Sequence, residues 1–376
     1  MAIELAAYLA LAIWVYLVVG RGGFWRERAP APPALDASRK SPSVVAVVPA
    51  RNEAGVVEKA IASLAAQRYP GAFHIVLVDD SSSDGTAEAA RAAAPSERLS
   101  VIRADAPPAG WTGKMWAVAA GVRRAARFEP EYYLLTDADI VHAPDNLAGL
   151  AARAEGSGYQ LVSYMATLEC RTLAERALLP AFVFFFFLLY PPRWIRDRRR
   201  RTAGAAGGCM LVERQALESS GGIEAIGGAL IDDCSLAARI KNAGGRVWLG
   251  LSPATRSIRE YGSFGEIGRM ISRSAFTQLR HSALLLLGAA AGLALAYLAP
   301  PVAALLGRGN AALAGALAWG LMSVAYAPML RFYGRSVLWA PLLPAVALFY
   351  LCATVHSAVV YWRGEGGQWK GRVQDG

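Results

Sequence analysis

Cysteine is scarce in this chain. Four occur in 376 residues (Cys170, Cys209, Cys234 and Cys352), with no CxxC pair and no histidine beside them to complete a ligand set. A disulfide framework and a Cys/His zinc site are thereby excluded, and a reducing compartment fits. Two nucleotide fingerprints are missing as well. There is no GxGxxG and no GxxxxGK[ST], so dinucleotide-fold and P-loop readings lack their motifs. Charged residues are few, at 18%, and they are unbalanced: 39 Lys and Arg against 29 Asp and Glu, a net +10. The arginines cluster beside apolar runs and do not interleave with aromatics in the polar part. That arrangement points to anionic lipid headgroups and away from nucleic acid.

What the chain has in quantity is apolar sequence, 55% of all residues. From Leu5 to Gly20 there is no charge, and Arg21, Arg26 and Arg28 follow at once. A signal peptide carries its basic residues before the apolar run. Residues 1–21 therefore read as an uncleaved anchor, with the next domain on the cytoplasmic side by the positive-inside rule. Three more segments, Ser282–Gly307, Gly309–Leu330 and Ser336–Trp362, approach or exceed the ~20 apolar residues that cross a bilayer. They make 282–362 a C-terminal membrane region and 363–376 a tail. Three full crossings put Arg363, Lys370 and Arg372 on the far side, against the same rule, so the parity stays open between three spans and two plus a re-entrant segment. Ala177–Pro192, with Phe182 and Phe184–Phe187, is short for a span and runs into Arg193, Trp194, Arg196 and Arg198–Arg201. Residues 177–201 read as an interfacial segment with its helix in the membrane plane; the alternative is a buried helix.

Between the anchor and these segments, Ser43–Ala50, Phe73–Asp80, Leu99–Asp105, Tyr132–Asp137 and Tyr159–Ala166 read as strands. Continuous apolar runs mark several of them as parallel strands covered on both faces. Helical patterns over Glu53–Gln67, Thr86–Ala94, Lys114–Ala126 and Pro144–Arg153 lie between, with Ser83 or Asp84 as N-cap of the second. Such alternation builds an open α/β sheet that binds ligands at the carboxyl ends of its strands.

Acidic residues gather at those ends. In Asp137-Ala138-Asp139, taken as extended, residues i and i+2 point to one side. Two carboxylates so placed can share an octahedral Mg²⁺ or Mn²⁺ whose other positions go to water and diphosphate oxygens. Asp79-Asp80 offers a carboxylate to a base or ribose. Pro49-Ala50-Arg51-Asn52-Glu53 is a strand-to-helix turn able to face a base. Lys114 opens a helix after a Gly-bounded loop and suits a phosphate. Gly207-Gly208-Cys209-Met210 is a flexible segment where a sugar or acceptor can approach backbone. Asp232-Asp233 starts a helix as an N-cap or as a general base. Arg269 and Arg273, i and i+4 on one helix face, can hold a diphosphate or lipid headgroups. His142, after the acidic motif, reads as a supporting residue.

In this order the motifs resemble the family-two, GT-A-type glycosyltransferases over roughly Val44 to Ser282. Pro49–Glu53, Asp79–Thr86, Asp137–Asp139 and Asp232-Asp233 with Leu236 and Arg239 stand in the family's sequence. The membrane layout, Gly113-Lys114 and Arg269–Arg280 look like the ceramide-glucosyltransferase-like branch. Pro180-Ala181-Phe182 and Thr277-Gln278-Leu279-Arg280 look like its hopene-associated bacterial members. The resemblance implies an α/β fold, a GT-A-type Rossmann-like open sheet in a cytoplasmic domain over 43–280, with one N-terminal and about three C-terminal transmembrane helices. It implies an inverting transfer from a UDP-sugar, with Mg²⁺ or Mn²⁺, to a lipid hydroxyl (hopanoid- or ceramide-like) at the inner, cytoplasmic membrane. Asp233 is then the catalytic base, with Asp232 the runner-up, and Asp139 the metal ligand. Pro49, Arg51, Glu53, Asp80, Lys114, Asp137, Arg269 and Arg273 are the nucleotide-sugar residues. Two departures stand out. The usual Glu before the base is Asp232, and the Gln-x-x-Arg-Trp signature reads Met270-Ile271-Ser272-Arg273-Ser274, without the Trp floor of a polysaccharide channel. A polyprenyl-phosphate acceptor and a non-catalytic membrane scaffold are the alternatives.

Overall fold

Among the described residues, eight strands join in one mixed sheet: β1 Val44–Ala50, β2 Phe73–Asp79, β3 Leu99–Arg103, β4 Tyr132–Thr136, β5 Ile140–His142, β6 Leu161–Thr167, β7 Cys209–Glu213 and β8 Val247–Ser257. Their order is β3-β2-β1-β4-β7-β6-β8-β5. The computed structural model describes residues 2–31, 33–36 and 38–364. Two compact units divide the chain. The sheet belongs to the unit of Arg28–Glu169 and Trp194–Arg259; residues 2–27, 170–193 and 260–364 form a helical unit.

β1 to β4 run parallel to one another because helices cross between them. All seven residues of β1 are buried, as its unbroken apolar run requires. One face packs Val44, Ala46, Val48, Ile75 and Leu77 against Val57, Ile61 and Leu64 of the helix Ala54–Ala65. Each of these valines, isoleucines and leucines, fully buried, contributes ~1.5–3 kcal/mol. On the other face lies the helix Gly113–Ala125. A Cβ on Gly121 would meet Val47 Cγ1 at 2.4 Å, so glycine permits that close approach.

The sheet opens between β1 and β4. Their ladder runs from Val44↔Tyr132 to Val47↔Leu135 and stops. Ala50 turns its carbonyl to β2, accepting from Asp80 N–H at 2.8 Å. Alternation therefore aims Pro49 toward β4, where the ladder has ended, and its missing N–H breaks no bond there. Chain growth also reverses direction at this point, from β1–β2–β3 on one side to β4 on the other. A crevice outside the strand ends is the expected ligand site of such a sheet.

Three strands, β5, β7 and β8, lie outside the sequence expectation. β5 has three residues, and β7 covers part of the segment read as flexible. β7 runs antiparallel to β4, with Thr136 opposite Cys209, and β5 runs antiparallel to β8. The expected cap of the helix Thr86–Ala92 also differs. Gly85, at φ 86°, precedes it. Asp84, one residue further out, accepts Thr86 N–H at 3.1 Å on Oδ1, while its Oδ2 accepts Ala54 N–H at 3.0 Å and Thr86 Oγ1 accepts Glu53 N–H at 2.8 Å. These side chains satisfy orphan donors at the start of a neighbouring helix.

In the helical unit, Ala2–Val19, Ala283–Leu306, Gly309–Phe332 and Val337–Trp362 are long and apolar enough to cross a membrane. Leucines on their outer surfaces stay uncovered (Leu284 is 77% exposed), as lipid-facing residues would be. Pro300 and Pro301 remove two donors from Ala283–Leu306, which contains a π-turn over Ala294–Leu298. The Ala296 carbonyl, deprived of the Pro300 N–H, takes the indole N–H of fully buried Trp14 at 2.6 Å. The aromatic run forms the helix Leu173–Leu189, four residues longer at its start than expected because Thr172 and Glu175 make a capping box. Phe184 and Phe187 are buried within this unit, and Tyr350 donates to the Leu178 carbonyl at 2.9 Å. Lys370 and Arg372 lie outside the described residues.

Candidate active site

Loops after β1 and β2 are the first wall of the crevice. Asn52 (φ 50°) and Ser81 (φ 54°) take left-handed conformations that fold these loops onto each other. Asn52 N–H donates to Ser82 Oγ at 3.0 Å, and Asn52 Oδ1 accepts Ser83 N–H at 3.0 Å. Arg51 Nη1 reaches the Asp80 carbonyl at 2.6 Å and its carboxylate at 3.3 Å. Asp80 is 1% exposed. The guanidinium offsets part of the cost of burying that carboxylate.

The acidic motif after β4 is a turn and not an extended segment. Ile140 N–H donates to the Asp137 carbonyl at 3.2 Å. Strand alternation therefore does not set the two carboxylates side by side, and each meets its own cation. Asp137 Oδ1 lies 3.0 Å from Lys114 Nζ. Asp139 Oδ2 accepts from Ser257 Oγ at 2.9 Å and from Arg259 Nε at 3.1 Å. Its Oδ1 carries no hydrogen bond among the described residues.

A closed network holds this turn. Thr136 Oγ1 donates to the Gly208 carbonyl at 2.7 Å, so it accepts from His142 Nε2 at 3.0 Å. His142 Nδ1 then accepts from Asn146 Nδ2 at 2.9 Å, and Asn146 Oδ1 accepts from Thr255 at 3.1 Å. Burial pushes His142 down to about 4, so the ring is neutral, as that bonding demands. His142 is the supporting residue its position implied, tying β4, β5, β7 and β8 together.

Opposite stands the helix Asp232–Asn242. Lys114, in the first turn of Gly113–Ala125, bridges Asp137 and Asp232, the latter at 3.1 Å. Burial works against its charge, but Asp137, Asp232 and Asp233 outweigh that and raise its pKa, so the ammonium persists. Asp233 Oδ2 accepts Gly207 N–H at 2.9 Å, and Oδ1 accepts Cys234 N–H at 2.7 Å. Burial and the neighbouring Asp232 push the Asp233 carboxyl up to about 6, against the pull of Lys114 and those two N–H groups. The two adjacent carboxylates thus differ. Asp232 is engaged by an ion pair, and Asp233 is poised near neutrality, where a general base works best. Pro49, Lys114, Thr136, Asp137, Gly207 and Asp232 line one cavity here.

Most of the sequence-predicted residues meet in this one unit. Lys114, Asp137, Asp232 and Asp233 form one cluster; Arg51 and Asp80 form another; Glu53 and Asp139 are bridged by a third group that sequence reasoning passed over. Arg259, two residues past β8, donates to Glu53 Oε1 at 2.6 Å as well as to Asp139. No local motif marks it among 39 basic residues. Arg269 and Arg273 lie on the helix Phe264–Gln278 of the helical unit.

No three His, Cys, Asp or Glu side chains cluster as a metal cage among the described residues. Hard oxygen donors on Asp137 and Asp139 instead fit a divalent cation held by one or two carboxylates, with a nucleotide's phosphates and water completing the shell. The donor set and the metal are compatible.

No curated protein matches the chain. A mannosyltransferase from Pyrobaculum calidifontis, solved in complex with GDP-Man and Mn²⁺, is similar in structure at 21% identity, with 95% of this chain and 99% of that chain covered and a TM-score of 0.58. A glucosyl-3-phosphoglycerate synthase from Mycobacterium tuberculosis, in complex with Mg²⁺ and uridine-diphosphate, is similar at 17% identity over 68% of this chain and 86% of that chain, with a TM-score of 0.42. The first of these likenesses places the open mixed sheet and its helices in the GT-A class. Residues 42–276, which contain every acidic cluster described above, match the family model "Glycosyltransferase like family 2", and the chain belongs to that family of glycosyltransferases.

Proposed function

We propose that this enzyme moves a sugar from a UDP-sugar to a lipid hydroxyl, hopanoid- or ceramide-like, with inversion, at the cytoplasmic face of the inner membrane. The observation that carries the reading is the poised Asp233 carboxylate beside the Lys114 cluster, in a chain with four helices able to span a bilayer. The basic residues after the first span, Arg21, Arg26 and Arg28, support a cytoplasmic catalytic domain over 43–280.

In this reading Pro49, Arg51, Glu53 and Asp80 receive the nucleoside. Asp139 holds Mg²⁺ or Mn²⁺. Such a cation, when bound, neutralises charge on the leaving diphosphate. Lys114 adds positive charge for the diphosphate. Asp233 accepts the proton of the acceptor hydroxyl as its oxygen bonds to the anomeric carbon. The bond from that carbon to the diphosphate breaks, and UDP departs with the electron pair. One displacement inverts the anomeric centre. No second carboxylate is needed as nucleophile.

Detergent-purified protein given UDP-hexoses or UDP-amino sugars with a total lipid extract should yield a glycolipid by mass spectrometry, along with stoichiometric UDP. Products confined to free sugar, with no lipid conjugate under any donor, contradict the lipid acceptor. A glycolipid whose formation survives Asp233→Asn points instead to an anionic polyprenyl-phosphate acceptor, which needs no base.

A further inference from the structure

Arg259 stands where the donor's cation is expected. Ile258 N–H donates to the Asp139 carbonyl at 2.9 Å, fastening the end of β8 onto the acidic turn and fixing where the next side chain can reach. From there Arg259 Nε bonds Asp139 Oδ2 at 3.1 Å and Nη2 bonds Glu53 Oε1 at 2.6 Å. Both carboxylate side chains are 11% exposed and the arginine 34%. The guanidinium thus bridges the β1 loop and the acidic turn. Its planar fork suits two carboxylates, and suits a diphosphate equally well.

We infer that Arg259 is a positioning residue that couples metal binding to nucleotide binding. A divalent cation on Asp139 beside a resident guanidinium meets like charge, so the cation alone binds weakly. A nucleoside diphosphate offers the guanidinium a second anionic partner, drawing it off Asp139 as the cation arrives with the phosphates. Metal and nucleotide then enter together, and the empty site resists stray cations. The inference rests on Asp139 as the metal ligand.

The test is Mn²⁺ binding by electron paramagnetic resonance, with and without saturating UDP, on the full-length protein in detergent. Without nucleotide, Arg259→Met should bind Mn²⁺ on the order of tenfold more tightly than wild type, within the usual range of coupling between two ligands. Arg259→Lys, which keeps the charge, should stay close to wild type. The enhancement of Mn²⁺ affinity by UDP should shrink in Arg259→Met. A gain of affinity is not what a merely unfolded variant gives. Equal nucleotide-free affinity in wild type and Arg259→Met, with UDP still promoting Mn²⁺ binding in both, overturns the coupling and leaves the metal reading intact. Absence of Mn²⁺ binding in every form, even with UDP, removes the metal reading and the coupling with it.

Discussion

Asp233→Asn is expected to lower the rate of sugar transfer by about 10²–10⁴-fold, the range general-base catalysis supplies, while UDP affinity changes little. The amide oxygen can keep the Gly207 N–H bond, but its NH2 then faces the Cys234 N–H that Oδ1 accepts in the wild type, so a modest fall in melting temperature should accompany the loss of activity. What the variant lacks is a group able to take a proton. The wild-type pH profile carries the same assignment. A base must be deprotonated to act, and this carboxyl sits at about 6, so kcat/KM should rise with pH. At pH 5 it should lie about tenfold below its plateau, and the profile should flatten above pH 7. Asp232→Asn should cost less, because that carboxylate is engaged with Lys114. A flat acid limb in wild type, or a larger loss in Asp232→Asn than in Asp233→Asn, would exchange the two roles.

Lys114→Met should be the second most damaging change. Its ammonium lies 3.0 Å from Asp137 and 3.1 Å from Asp232, with Asp233 close by. Without it Asp137, Asp232 and Asp233 lose the ammonium they share, and like charges in one site resist ionising together. Asp233 should then hold its proton to higher pH, moving the acid limb of the profile upward from about 6. Transition-state charge on the departing diphosphate also loses a preorganised cation, a loss of about 10²–10³-fold in kcat. Both effects are separable in one experiment, since raising the pH restores the first and not the second. A variant with an unmoved profile and near-normal kcat would show that Lys114 is only a structural counter-ion.

The parallel half of the sheet is legible in the sequence because burial on both faces writes itself as unbroken apolar runs. Ser43–Ala50 and Phe73–Asp80 are such runs, and β1 and β2 fall within a residue of them. The four helices long and apolar enough to span a bilayer are legible for a similar reason, since a bilayer demands length and apolarity together. Strand ends carrying Asp80, Asp137 and Asp233's helix start were locatable from chain order alone. The other half is written less clearly. β5 has three residues, too few for a pattern, and β7 hides among glycines because its pairing partners are distant in sequence. Arg259 was invisible for a deeper reason. Its meaning comes from β8 lying beside β5, which brings it to Asp139 and Glu53 across 120 and 206 residues. The turn geometry of Asp137–Asp139 is also a tertiary matter, as the pull of Lys114 on one carboxylate and Arg259 on the other has no local signature.

Calorimetric titration of UDP into the detergent-solubilised protein, with and without Mn²⁺, tests the central claim most directly. Wild type should bind UDP saturably with Mn²⁺ and more than tenfold more weakly without it, and Asp139→Asn should lose that difference, as disturbing a metal's ligand set does. UDP binding that is identical with and without the cation, and unchanged in Asp139→Asn, would contradict a metal-held donor at the mouth of β4.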